Sequence, residues 1–155
     1  MNREILFRAK PCYMGGNQPV WVYGTFQDIA QRRINQNATD NGTLETRTDK
    51  GRIIDLYGTE TEVLCDTLGQ FTGMTDKNGV KIFEDDIVEV YDFTSVYASK
   101  YRGVVKMYRG SWCVEYEDSI LDMVAHPRLF FDDFADRKTE VIGNIHDNSE
   151  LLAAK

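Results

Sequence analysis

No stretch of this 155-residue chain comes near the roughly 18 consecutive apolar residues that a membrane-spanning helix needs. The apolar piece at its start, Ile5-Leu6-Phe7, is far too short for a secretory signal. Cysteine is scarce: Cys12, Cys65 and Cys113 are odd in number, widely separated and in no metal-ligand spacing. That pattern argues against a disulfide framework or a zinc site and for reduced thiols in a cytoplasmic protein. Gly15-Gly16 runs into Asn17-Gln18 with no Lys-Ser/Thr behind it, so there is no Gly-rich phosphate loop. Internal repeats and low-complexity linkers are missing. A basic excess is missing too, because 18 Lys/Arg stand against 25 Asp/Glu for a net charge of −7. The imbalance is uneven. Residues 1–60 sum to +1 (eight basic, seven acidic) and residues 61–155 to −8 (ten against eighteen). An acidic second half repels phosphate backbones, and Arg32-Arg33 is the tight basic pair of the first half.

What the chain does contain is short apolar and aromatic segments separated by turn residues. Glu4 to Ala9 reads as a first strand, and Val20 to Phe26, "VWVYGTF", as a second. Asp28 to Gln36 fits one turn of helix, with Asp28 as N-cap, or a short strand. Asn35 to Gly42 is a polar loop ending in the hairpin signal Asn41-Gly42. Thr43 to Thr48 and Arg52 to Leu56 read as two strands about a turn at Asp49-Lys50-Gly51. Val63-Leu64-Cys65 is a short apolar piece. Gly103 to Tyr108 and Trp112 to Tyr116 form a hairpin about Arg109-Gly110-Ser111. Glu140 to Ile145 is a final strand, and Asn148 to Ala154 a closing helix capped by Asn148 or Ser149. Strands at roughly ten-residue spacing predict a mainly β protein, antiparallel in a small barrel-like or sandwich architecture, with a short C-terminal helix.

The densest motif is "LGQFTGMTDKNGVKIFEDDIVEV", Leu68 to Val90. Gln70-Phe71-Thr72 is an incoming strand, Gly73 a bend, Asp76 to Gly79 a turn with Asn78-Gly79 at positive φ, and Lys81 to Phe83 the return. With the closing run Glu140 to Asn148, followed by Glu150-Leu151-Leu152, and with Phe7 to Lys10 and Trp21-Val22 near the start, this motif resembles the YopX family of phage and prophage proteins. The resemblance implies a small, mainly β protein made in the cytoplasm of a bacterial host. It brings no enzymatic activity, catalytic residue or cofactor. It covers both ends and the middle, which makes 1–155 one domain with a variable first half (about 1–66) and a family core (about 67–155). Gln70, Thr72, Gly73, Asp76, Asn78, Gly79, Asp86, Gly143 and Asn144 are its structural motif positions. The chain departs from the family pattern at Asp85, where glycine is usual, and at Ser149, where proline is common. If position 85 needs φ > 0, Asp is among the few residues that tolerate it, at about 1 kcal/mol.

Several constellations were weighed for chemistry. Glu84-Asp85-Asp86 offers three carboxylates for a divalent cation, but consecutive side chains diverge, and a solvated corner explains them better. Asp132-Asp133 with Asp136 has the spacing of diphosphate-binding helices, without the helical context. His126 and His146 are the only histidines. A His146-Asp147 pair with Cys113 or Ser111 holds the ingredients of a nucleophilic site, although nothing in the spacing joins them and Cys113 reads as buried. Trp21, Tyr23 and Phe26, with Arg8 and Arg32-Arg33 nearby in sequence, could form a stacking platform for single-stranded nucleic acid contacted through Trp21, Tyr23, Arg32 and Arg33. The alternation of Trp21, Tyr23 and Thr25 with Val22, Gly24 and Phe26 nevertheless fits a strand between core and surface better. No catalytic residue, metal or cofactor is therefore expected. The leading expectation is an accessory protein that binds a host or phage protein or self-assembles, with nucleic-acid binding as the alternative.

Overall fold

Turn chemistry decides where the strands of this protein end. β10 (Ser99–Tyr108) and β11 (Ser111–Glu115) are joined by two residues, Tyr108 standing opposite Ser111. Both linkers have positive φ, +49° at Arg109 and +83° at Gly110. That is a type I′ loop, whose twist matches the strands it joins. The structure, a computed structural model, describes residues 4–14, 20–28, 32–33, 46–47, 50–92, 99–115, 128–129 and 139–153. Among the described residues the chain is mainly antiparallel β with a short C-terminal helix, α1 (Glu150–Ala153). No helix among the described residues is long and apolar enough to cross a membrane.

The chain divides into two compact units. The unit Leu6–Leu68 holds β1 (Phe7–Ala9), β2 (Val22–Asp28), β5 (Lys50–Ile54) and β6 (Glu60–Leu64), hydrogen-bonded in the order β6-β5-β2-β1. β3 (Arg32–Arg33) and β4 (Thr46–Arg47) form a separate pair. The core of this unit is Ala9, Ile53 and Val63, with Phe7, Val22, Phe26 and Leu68 packed on it. Gly51 is required there: a Cβ would come within 2.1 Å of the Phe26 ring. The outer edge of β6 is closed at its C-terminal end. Pro11 bridges to Val63, and the Leu64 N–H donates to the Lys10 carbonyl at 2.9 Å.

The other unit comprises Met1–Ile5 and Gly69–Lys155. It contains the hairpin β7 (Gly69–Thr75) and β8 (Lys81–Phe83). It also contains a sheet in the order β12 (Arg128–Leu129), β11, β10, β9 (Asp86–Asp92), β13 (Thr139–Asn144). Ile82, Val88, Val105, Trp112 and Val114 are its buried core, with Met74, Val90 and Val141 against them. Phe71 pairs with Phe83 and Thr75 with Lys81, so β7 carries two more residues than β8 between these points. Gly73, at φ +89°, absorbs the excess as a bulge. The Thr72 hydroxyl holds the bulge by donating to the Ile82 carbonyl at 2.8 Å and accepting from the Met74 N–H at 3.2 Å.

Four local expectations are corrected. Asn78 is not at positive φ; only Gly79 is, at +81°, because the loop is a type I turn followed by a left-handed glycine and not type I′. The segments around 43–48 and 52–56 are not one hairpin: β4 pairs with β3, and β5 lies between β2 and β6. The second of them ends at Ile54, since Asp55 starts a turn and Leu56 lies within it. β2 runs through Gln27 to Asp28, past the expected end at Phe26, and Arg32–Arg33 form a strand, in line with the second reading of 28–36. The loop 35–42, His126 and the acidic run 132–136 lie outside the described residues.

Candidate functional site

The acidic corner at 84–86 is where side-chain chemistry concentrates, and it is not solvated. Asp86 is 1% exposed and Asp85 is buried with it, because the corner is folded inward to start β9 at the centre of its sheet. The Phe83 N–H donates to Asp86 Oδ2 at 2.7 Å, which turns the chain. Asp85 takes φ +67°, the left-handed conformation that its short polar side chain tolerates and that glycine would adopt freely. Its N–H donates to the Val105 carbonyl, and its own carbonyl accepts from the Ile145 N–H at 3.0 Å.

That backbone aims the Asp85 carboxylate between two cations or potential cations. Lys106 on β10 donates to Oδ1, and His146 Nε2 lies 3.2 Å from Oδ2. Burial opposes the charge on Asp85, but the hydrogen bonds from His146 and Lys106 outweigh it and hold the carboxyl below its ordinary value. Glu84 goes the other way. Burial, then the charge of Asp85, pushes its carboxyl up. Farther along β9, buried Glu89 stands opposite Arg102. It accepts from Arg102 Nε at 2.8 Å and pairs with Lys100 Nζ at 2.6 Å. Burial opposes its charge as well, and the Lys100 and Arg102 bonds prevail, lowering its carboxyl. Arg102 also donates to the Leu151 carbonyl of α1 at 3.3 Å.

The His146-Asp85 contact has the geometry in which a carboxylate orients an imidazole, yet the candidate nucleophile does not join it. Cys113 is buried, and its thiol donates to the Lys106 carbonyl at 3.2 Å. Burial, then the charge of Glu115, pushes this thiol up, away from the reactive thiolate. Asp147, the sequence neighbour of His146, instead accepts from Asn144 Nδ2 at 3.0 Å. Asn144 Oδ1 in turn accepts from the His146 and Asp147 N–H groups, both at 3.0 Å. Asn148 faces backward, its Oδ1 accepting from the Asn144 N–H at 3.4 Å. Gly143 leaves room for it: a Cβ there would meet Asn148 Oδ1 at 2.7 Å. Among the described residues, no group of three or more His, Cys, Asp or Glu side chains converges as a metal site.

Asp76 is a further buried carboxylate, 3% exposed. Its Oδ1 accepts from the Asn78 and Val80 N–H groups at 2.8 and 2.9 Å, and its Oδ2 from the Val141 N–H at 3.1 Å. One side chain thus closes the β7–β8 turn and fastens it to β13. Burial opposes its ionisation, but the three amides, led by that of Val141, keep the carboxyl below its ordinary value. Lys77 beside it pairs with Glu140 at 2.6 Å, and the Gln70 carbonyl accepts from the Glu84 N–H at 2.9 Å.

The aromatic and basic residues of the first half fall on several elements. Trp21 lies against Arg8, whose guanidinium carbon is 4.6 Å from the ring centroid, and against Lys10 at 5.6 Å. Arg8 and Lys10 are both buried, so these cations and this ring serve the unit's own packing. Tyr23, opposite Arg8 in register, is exposed. Arg32-Arg33 belong to the separate β3–β4 pair, so the four residues do not share one sheet.

The most exposed apolar side chains in the described chain lie at the tip joining β5 to β6: Leu56 is 95% and Tyr57 94% exposed. The tip is held by hydrogen bonds. Asp55 Oδ1 accepts from the Tyr57 and Thr59 N–H groups, both at 2.8 Å. The Gly58 N–H donates to the Asp55 carbonyl at 3.1 Å, and Gly58 takes φ +81°. Asp55-Leu56-Tyr57-Gly58-Thr59 repeats the turn Asp76-Lys77-Asn78-Gly79-Val80 bond for bond, without the third bond that Asp76 makes to Val141. The shared Asp-x-x-Gly spacing was visible in the sequence and is the signal that could have placed this turn.

These features define a small, mainly antiparallel β protein whose buried acids organise turns and strand ends. The family model described as YopX protein matches residues 16–153, and the chain belongs to the YopX family. No curated protein matches it. Among solved structures it is similar to the crystal structure of protein EF1440 from Enterococcus faecalis, at 22% identity and a TM-score of 0.49 over 97% of this chain and 99% of that one.

Proposed function

We propose that this YopX-family chain is a bacteriophage or prophage accessory protein, made in the bacterial cytoplasm, that acts by binding another protein or by self-assembly. The observation that carries the reading is the exposure of two adjacent large apolar side chains, Leu56 at 95% and Tyr57 at 94%, at the tip joining β5 to β6. Isolated exposed apolar residues are ordinary, but a concentration of large ones favours a surface that meets another molecule. The buried acids support the same reading, since Asp76, Asp85 and Glu89 are each engaged in holding backbone or cations in place. Nucleic-acid binding through Trp21, Tyr23, Arg32 and Arg33 has less support. The Trp21 ring already holds Arg8 and Lys10, and the chain's charge of −7 repels phosphates.

Light scattering over a range of concentrations, affinity capture from bacterial lysate and titration with single-stranded oligonucleotides at low salt test the reading together. A defined oligomer or a single specifically retained protein, with no salt-sensitive oligonucleotide binding, is the expected outcome. A monomer that retains no protein would end it, and tight oligonucleotide binding weakened by Trp21→Ala would replace it with the nucleic-acid reading.

A further inference from the structure

The chain writes the same turn twice, and the two copies carry opposite residues at their tips. In both, an aspartate carboxylate oxygen accepts two backbone N–H groups, two and four residues on. Both end in a glycine at φ +81°. The central positions of such a turn face solvent and favour polar residues. The copy at 76–80 obeys, with Lys77-Asn78. The copy at 55–59 places Leu56-Tyr57 there, almost wholly in water. Turn geometry does not call for them, since the sister turn forms without them, and the unit's own core leaves them uncovered. Burial elsewhere is the remaining physical reason for their presence.

The geometry points to the Leu56–Tyr57 tip as a preformed docking knob that inserts into an apolar pocket, rimmed by Lys or Arg, on a different protein. The inference rests on the protein-binding reading above and names its contact site. Preorganisation follows from Asp55, which fixes the loop before any partner arrives, so little ordering entropy is lost on docking. The sign of the rim follows from charge. On the strand ends beside the tip stand Asp55, Glu60 and Glu62 against Arg52, and with Arg52 paired to Glu60 at 2.6 Å these four sum to −2. Basic residues around the pocket would meet this acidic collar favourably, whereas a second acidic copy of the chain or an anionic lipid surface would not. A rigid tyrosine at a protruding tip is a frequent binding anchor.

The test uses the full chain carrying a photo-crosslinking phenylalanine analogue at position 57 or, as the matched control, at position 78. Each is exposed to lysate of the bacterium that encodes the chain. A cross-linked protein is then purified and titrated with the wild type, Leu56→Ser, Tyr57→Ser and the sister-turn variant Asn78→Ser. The expected result is one protein cross-linked from 57 and not from 78. Its affinity should fall at least about tenfold with either tip variant and be unchanged by Asn78→Ser, and binding should weaken with added salt. Matching circular dichroism spectra would establish that the tip variants are folded. A protein captured equally well by the wild type and both tip variants would overturn the knob and leave the protein-binding reading standing. Cross-linking to a second copy of the chain, or tip-dependent binding to phosphatidylserine vesicles, would overturn the partner class. Absence of any cross-linked protein would overturn the knob, and if the chain also scatters as a monomer the protein-binding reading ends with it.

Discussion

Replacing Asp76 by alanine separates the buried turn from its exposed twin and puts a number on the difference. Asp76 satisfies three backbone amides, of Asn78, Val80 and Val141, while being 3% exposed. Alanine leaves all three without their acceptor. A hydrogen bond to a charged group contributes about 1.5–3 kcal/mol, and the half-buried Val141 amide forfeits most of that. Asn78 and Val80 are exposed, so water recovers part of their two bonds, and each loses roughly 0.5–1 kcal/mol. The sum is about 3–4 kcal/mol, or a fall in Tm of roughly 6–16 °C for a chain of this size. Asp55→Ala removes the same two turn bonds from an exposed site that has no third bond, and its effect is expected to be much smaller. Thermal and urea unfolding followed by circular dichroism give the comparison. Asp76→Asn should fall between wild type and alanine, because an amide offers one acceptor oxygen where the carboxylate offers two. Equal losses for Asp76→Ala and Asp55→Ala would refute the claim that the Val141 bond anchors the hairpin.

Stability is also expected to depend on pH with a definite sign. Asp76, Asp85 and Glu89 have carboxyls below their ordinary values, so the unfolded chain binds more protons around pH 4. Their contribution is complete above the unfolded values and lost as pH falls through 4 toward the folded ones. Glu84, pushed up by burial, partly offsets this; acid titration of the urea midpoint checks it, and a midpoint that stays flat or rises from pH 5 to 3 would contradict it. At position 85, Asp85→Ala combines loss of the Lys106 and His146 contacts with a left-handed alanine worth about 1 kcal/mol of strain. It should therefore destabilise more than Asp85→Gly, and equal Tm values for the two would remove strain from the account. Gly143→Ala drives a Cβ to 2.7 Å from Asn148 Oδ1 and should cost about 1–3 kcal/mol. Adding Asn148→Gly should recover part of that loss, and strictly additive effects in the double variant would show that the two residues do not collide.

Legibility in the sequence followed the range of the interaction. The β10–β11 hairpin was readable because Arg109-Gly110 and its flanks settle it within a dozen residues. Positive φ at Asp85 was readable from a single departure in a known motif, because few residue types tolerate that backbone. The β7–β8 hairpin was readable in outline, but its loop type was not, since Asn-Gly serves both type I′ and type I-plus-glycine loops and strand register decides between them. The turn at Asp55 reads as strand in the sequence, because Arg52 to Leu56 has strand composition when its exposure is unknown.

By itself the sequence determined the class, the family and most strand ends, because turns are encoded by local backbone preferences of Gly, Asn and Asp. Only the tertiary structure decided which polar groups are buried and what they hold. Asp85 meets His146 across 61 positions and Asp76 meets Val141 across 65, and no local pattern records such pairings. Trp21 fits a platform or a packed strand in one dimension and is packed against Arg8 and Lys10 in three. Leu56 reads as the end of a strand and stands in water beside Tyr57. Burial is a property of what folds over a residue, and that depends on chain far away from it.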